Sequence, residues 1–250
     1  MHALKASLVN EMFKLALRRK SLFFLALCLL VPVGAALTLD RVQAGYGLAF
    51  VGAGDLPMRV LWLFTSFLLP LIAFMTAVDL FTGEAEAGTL KTALTRPVDR
   101  FRLYAAKIGA IFLSVCLYTA VGLLFSLISA LLLQGREDWA AGILPTATAF
   151  AASVLPMTVL GAMAAFVAQL FKNTTGALAV LIVLYALLKL SVLLVPAVSA
   201  YLPVHYTDWH LLWTDGPTAW PQLTGIFALL AAWGLIFFTA GYVLFDKKEL

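Results

Sequence analysis

The chain has 250 residues, 63% of them hydrophobic and only 12% charged, with a mean hydropathy of +0.99 and a net charge of +4. Soluble domains carry roughly 45–50% apolar residues, so this composition excludes an ordinary soluble domain and places the chain in a membrane. What remains between the apolar stretches is too short to build a soluble core of its own.

Residues 4–17 come first and are amphipathic. At about 100° per residue, Leu4, Leu8, Val9, Met12, Leu15 and Ala16 share one half of a helical wheel, and Ser7, Asn10, Glu11, Lys14 and Arg18 share the other. Such a segment either lies along the membrane surface with its basic face toward the lipid headgroups or simply extends the first span. The stretch "LALRRK" followed by "SLFFLALCLLVPVGAAL" has the outline of a secretory signal. Its apolar run exceeds the usual length of about 7–15 residues and further runs follow it, which predicts a retained first helix.

A bilayer core about 30 Å thick takes about 20 apolar residues per helix. Six runs satisfy this, at 21–39, 60–81, 108–133, 147–171, 176–198 and 223–245. The expectation is an all-α integral membrane protein with six transmembrane helices in a single transmembrane domain spanning 1–250. Six spans put both termini on one side. Thirteen of the Lys and Arg residues fall on that side, three (Arg41, Arg59 and Arg136) on the other, and Lys189 inside a span. The positive-inside rule then places both termini and residues 82–107 in the cytoplasm of a multi-pass cell-membrane protein. Anionic membrane lipid accounts for the pI of about 9.1 without a nucleic-acid partner.

Within the spans, Cys28 and Cys116 are read as space-filling residues, and Pro32, Pro70, Pro156 and Pro196 as kinks. Asp79 closes the second span and is expected at the interface, where it would orient the segment that follows.

That segment is "GEAEAGTLKTALTRPVDR", the densest run of charge in the chain. The connection from 82 to 107 takes about 26 residues where about 2–8 join two helices. Glu84–Leu94 contains good helix formers, with Thr82 as a candidate N-cap and Glu84 and Glu86 placed where the helix dipole favours acids. Pro97 stops that helix and can open the next, with Asp99 in its first turn. The prediction is a short cytoplasmic helix tied at both ends to transmembrane helices. A solvated loop that merely fixes topology is the alternative.

Further along, Lys189 sits inside the fifth span, where an intramembrane Lys costs about 2.5–3.5 kcal/mol on insertion scales and faces a protein interior or a wet cavity. It is the candidate pathway residue; snorkelling or a structural pairing is the alternative. The segment "SAYLPVHYTDWHLLWTDGPTAWPQL" lacks Lys and Arg. Its Tyr201, Tyr206, Trp209, Trp213 and Trp220 predict an interfacial aromatic belt. His205, Asp208 and His210 match no standard zinc spacing, so no metal is expected there.

"GEAEAGTLKTALTRPVDRFRLYAAK" resembles the cytoplasmic loop of ABC-2 type transporter permeases. The matching positions are Gly83, Glu84, Glu86, Gly88, Thr89, Leu90, Leu94, Pro97, Arg100 and Lys107. The resemblance implies that this loop is a coupling helix docking on a separate cytoplasmic ABC ATPase. Leu90 and Leu94 would enter its groove, Glu84, Glu86, Lys91 and Arg100 would pair with its surface, and Pro97 would stiffen the turn. It also implies an exporter completed by a second permease subunit, either an identical copy or a related chain.

The sequence holds no G-x-x-x-x-G-K-[ST] loop, so ATP and Mg would be bound by the partner and this chain would bind no cofactor and catalyse nothing itself. Two other classes compete with that reading. An intramembrane enzyme would want a His or metal set within the spans, and none of the three His residues lies in one. An ion-driven transporter would show repeats and paired intramembrane charges.

Overall fold

Lipid offers a backbone no hydrogen bonds, so an apolar chain crossing it must satisfy its own amides, and the helix does this within one segment. The computed structural model describes residues 2–46, 56–89, 99–134, 139–195, 199–214 and 220–247. Its elements are α1 (His2–Ala16), α2 (Arg19–Tyr46), α3 (Leu56–Leu63), a π-helical turn (Phe64–Leu68), α4 (Leu69–Glu86) and α5 (Arg100–Gln134). They continue with α6 (Trp139–Ala168), α7 (Thr174–Leu194), a 3₁₀ helix (Pro203–Trp213) and α8 (Trp220–Asp246). No strand occurs among the described residues.

Six helices are long and apolar enough to span a membrane: Arg19–Thr38, Leu56–Glu86, Arg100–Leu132, Gly142–Ala168, Thr174–Val192 and Trp220–Asp246. Each overlaps one of the runs expected from the sequence. The second and third extend further than expected, to Glu86 and back to Arg100, because charged residues at their ends are paired with neighbouring helices and do not end the helix. The second and fourth spans are buried over most of their surface, while the first, fifth and sixth face outward.

Packing between the central spans relies on small residues, as it must where apolar side chains gain nothing by leaving lipid for protein. α6 presents Gly161, Ala164, Ala165 and Ala168, all buried. Near one end of the bundle, Tyr104 of α5 sits fully buried among Phe81, Phe238 and Phe245, with ring centroids 5.2–5.6 Å away. Its hydroxyl presses against Gly241 of α8, where a Cβ would collide with it.

The π turn interrupts the second span for a local reason. Pro70 has no N–H to offer the carbonyl four residues back, that of Ser66. The Tyr185 hydroxyl of α7 donates to that carbonyl at 2.9 Å, and the Leu69 amide donates to Phe64 in the five-residue π pattern. The kink expected at Pro70 thus becomes a widened turn tied to the fifth span.

Two expectations are corrected. Thr82 caps no helix: it lies inside α4, fully buried, and its hydroxyl donates to the Ala168 carbonyl at 2.6 Å. The helix therefore runs unbroken through Glu84 and ends at Glu86, closed by Gly88 at a φ of +70°. The Ala87 and Gly88 amides bond back to Gly83 and Ala85 there, and a left-handed residue at that position suits glycine. Trp209, expected in an interfacial belt, is instead buried in the 3₁₀ helix, its indole N–H donating to Ala152 of α6 at 2.8 Å.

The contact of Tyr104 with Gly241 can be tested directly. Gly241→Ala is expected to cost about 1–3 kcal/mol through overpacking, seen as a lower unfolding temperature in detergent. The Tyr104 hydroxyl has no hydrogen-bond partner among the described residues. Tyr104→Phe alone should therefore be close to neutral and should recover part of the Gly241→Ala loss. An additive double variant would show that the two residues do not meet.

Candidate functional site

The loop predicted to carry function leaves α4 after Glu86 and enters α5 at Arg100. Its stretch from 90 to 98, with Leu90, Lys91, Leu94 and Pro97 and the second half of the expected short helix, lies outside the described residues. What the structure does describe is how both ends of the loop are fastened.

Lys107, about two helical turns inside α5, is fully buried. Its ammonium donates to Glu84 at 2.7 Å, to the Leu80 carbonyl at 2.9 Å and to Glu11 of α1 at 3.4 Å. Those three acceptors match the three donors of an ammonium, and Nζ also stands 5.7 Å from the Phe81 ring centroid. Lys14 of α1 completes the arrangement from the other side, 2.8 Å from Glu11 and 3.0 Å from Glu84. Two carboxylates and two ammoniums thus alternate in a closed, electrically neutral ring joining α1, α4 and α5. Glu11 and Glu84 are 2% and 4% exposed.

A second group sits one turn deeper. Asp79 is buried within the protein and receives Arg18 at 3.0 Å and Lys20 at 3.3 Å, and Arg18 also reaches the Asp79 carbonyl at 3.4 Å. The residues around the α1–α2 turn are therefore held to α4 by charge as well as by packing.

This corrects the expected orientation of α1. Its acidic and basic positions Glu11 and Lys14 turn into the protein toward α4 and α5, and Val9, Phe13 and Leu17 are the exposed apolar stripe. The wheel's apolar half divides, with Leu8, Met12 and Leu15 packed on the core beside Glu11 and Val9 exposed, and the wheel could not reveal that Glu11 has a buried lysine waiting for it. Burial would lower the Lys14 pKa, but its hydrogen bonds and attraction to Glu11 and Glu84 outweigh this and hold it above the ordinary lysine value.

Glu84, expected on a partner's surface, is instead spent inside this ring. Glu86 does remain exposed, and its carboxylate accepts from the Thr174 amide at 3.0 Å. That amide opens α7, whose cap Asn173 accepts from Gly176 at 2.9 Å, so an acid sits where the helix dipole favours one. Gly88 and Thr89 are exposed, and the Thr89 hydroxyl donates to the Glu84 carbonyl at 3.3 Å. Asp99 caps α5 by accepting from Phe101 at 3.3 Å, and exposed Arg100 donates to the Asp246 carbonyl of α8. Glu84, Glu86 and Arg100 thus reach different helices: α1 and α5, α7, and α8.

Lys189 lies at the opposite end of the bundle. It donates to Thr207 at 2.6 Å and stands 3.9 Å from Asp208, both in the 3₁₀ helix. His205 stacks edge-on against Tyr206. No group of three His, Cys, Asp or Glu able to hold a metal occurs among the described residues.

Sequence reasoning missed the ring of Glu11, Lys14, Glu84 and Lys107. Its signal was present: a lone acid in a basic amphipathic segment and a lone lysine in "AAKIGA" are each costly unless they meet opposite charge.

A family model described as ABC-2 family transporter protein matches residues 10–250. No curated protein matches the chain.

Removing one member of the ring should be far worse than removing a pair. Lys107→Met leaves two buried carboxylates short of a counter-charge and is expected to cost about 3–5 kcal/mol, whereas Lys107→Met with Glu84→Leu should recover much of it. Equal losses in the single and double variants, read from chemical unfolding in detergent, would refute the coupling. The raised Lys14 pKa fixes the sign of its pH dependence. Its stabilising contribution is complete below the ordinary lysine value of about 10.4 and is lost only as pH rises through the folded value. Amide exchange protection of α1 should accordingly show no loss from this group between about pH 6 and 9.

Proposed function

The chain belongs to the ABC-2 transporter family, and from that premise we propose that it is the permease subunit of an ATP-driven exporter whose ATPase is a separate polypeptide. The observation that carries this reading is the way the loop is fastened. The helix entering it and the helix leaving it are joined by the buried pair Glu84–Lys107, and α1 is tied to both. A force applied to residues 87–99 is thereby delivered to α4 and α5 as one body.

In this reading the loop and both termini face the cytoplasm, where nucleotide is available. The segment holding Leu90, Lys91, Leu94 and Pro97 docks on the ATPase, with the two leucines in a groove and Lys91 and Arg100 at its rim. ATP and Mg are bound by that partner. A second permease subunit, identical or related, closes the passage that one six-helix unit leaves open to lipid.

The cycle is a population shift: closure of the ATPases moves the loops and changes which side the passage faces. Taking a two-state equilibrium from 1:99 to 99:1 requires about 5.5 kcal/mol of differential binding. A freely hinged loop would dissipate that difference locally. Helices joined by a buried, fully satisfied ion pair do not.

Leu90→Glu with Leu94→Glu should abolish co-purification of the ATPase while the protein still accumulates in the membrane at an ordinary level. Unchanged co-purification would reject the docking role of this segment. Absence of any ATPase from the wild-type assembly would reject the permease reading itself.

A further inference from the structure

The polar contacts that α7 makes with other elements lie at its first turn and from its midpoint onward. At one end its first amide is held by Glu86 at 3.0 Å. From the midpoint, Tyr185 donates to the freed Ser66 carbonyl of the π turn, and one turn further on Lys189 donates to Thr207. Residues 177–184 between them are "ALAVLIVL", with no polar side chain. The first half of α7 is therefore a stiff apolar rod, held by Glu86 where it starts and by Tyr185 and then Lys189 beyond it.

The contacts around Lys189 gather three elements. One Asp208 carboxylate oxygen faces Lys189 at 3.9 Å, and the other accepts from Thr65 of the π turn at 3.3 Å. Thr207 accepts from Lys189 while its own hydroxyl donates to Val204 at 3.2 Å. Val204 and Thr207 are buried, so this pairing holds the 3₁₀ helix down against the bundle.

Exposure separates this arrangement from the ring at the other end. Lys107 and its acids are almost wholly buried, and parting them would strand charge in a low-dielectric interior. The side chains of Lys189 and Asp208 are 31% and 33% exposed and 3.9 Å apart, so parting them does not strand charge in the protein interior as parting Lys107 from its acids would. The first arrangement is built to stay shut and the second to open.

We propose that Lys189, Thr207 and Asp208, with Thr65 of the π turn, form a releasable clasp. It holds the 3₁₀ helix over the end of the bundle opposite the loop, and α7 is the rod whose displacement undoes it. Lys189 is in this view a positioning residue. The clasp stands on the geometry alone, and only the rod's drive, through Glu86, rests on the permease reading above.

The experiment is amide hydrogen exchange on the full-length chain in lipid nanodiscs. Lys189→Met should speed exchange across 203–213 by about tenfold, the scale of losing one hydrogen bond to a charged group. Asp208→Asn should act in the same direction by less, Lys189→Arg should stay close to wild type, and α5 and α6 should be unaffected. Unchanged exchange at 203–213 in both Lys189→Met and Asp208→Asn overturns the clasp, as does an increase spread evenly over α5 and α6. If Lys189→Met fails to insert, Asp208→Asn, which leaves the span intact, decides alone.

With the co-purified ATPase, ATP should accelerate exchange at 203–213 in the wild type but not in Glu86→Gln. A clasp that behaves as expected yet ignores ATP overturns the rod. Failure to recover any ATPase counts against the permease reading and leaves the result on the isolated chain standing.

Discussion

The arrangement of the whole basic end depends on one buried contact, the 2.7 Å pair of Glu84 and Lys107 between the helices on either side of the loop. Such a pair is weak evidence for stability, since desolvating two ions costs about what their attraction returns. Its value is geometric. An apolar seam between α4 and α5 would tolerate sliding or rotation, because any apolar surface packs against lipid or protein alike. A carboxylate and an ammonium with every donor matched tolerate neither, and Glu11 and Lys14 extend the same constraint to α1.

Much of the fold was legible in the sequence because lipid is an unforgiving solvent. Apolar length, scarcity of charge and the need for internal hydrogen bonds leave helices as the solution, and six runs map onto six candidate spans. Errors arose where a polar residue found a partner distant in sequence. Thr82 reads as a cap until the Ala168 carbonyl is seen beside it. Glu84 reads as surface charge until Lys107 and Lys14 are placed around it, and Trp209 reads as an interfacial anchor until it meets Ala152. Local propensity carries no information about these long-range partners, and α4 consequently ran further than its pattern suggested.

The candidate site was legible only in outline. The loop announced itself by its length and charge, and its family likeness agrees with the match over residues 10–250. The roles of its two glutamates were not distinguishable from spacing. They lie two residues apart on a helix, so they point to different sides: Glu84 inward to the ring, Glu86 outward to the first amide of α7. Neighbours in sequence thus serve different helices, and together they tie the loop's root to α1, α5 and α7.

That division bears on how a membrane helix bundle can be both rigid and switchable. Rigidity concentrates where ions are buried and every donor is matched, at the ring of α1, α4 and α5. Compliance concentrates where ions are part-exposed and where the backbone ladder is already relaxed by a π turn, beside Lys189 and Asp208. Both kinds of contact use the same chemistry of lysine and carboxylate; in the ring Lys107 and both acids are buried, whereas beside Lys189 neither partner is. A bundle held by buried pairs at both ends would resist displacement as a block, and one held by part-exposed pairs at both ends would absorb it locally. With one of each, a displacement entering at the loop would have a path along α7 toward a part-exposed pair that parts more easily than the buried one.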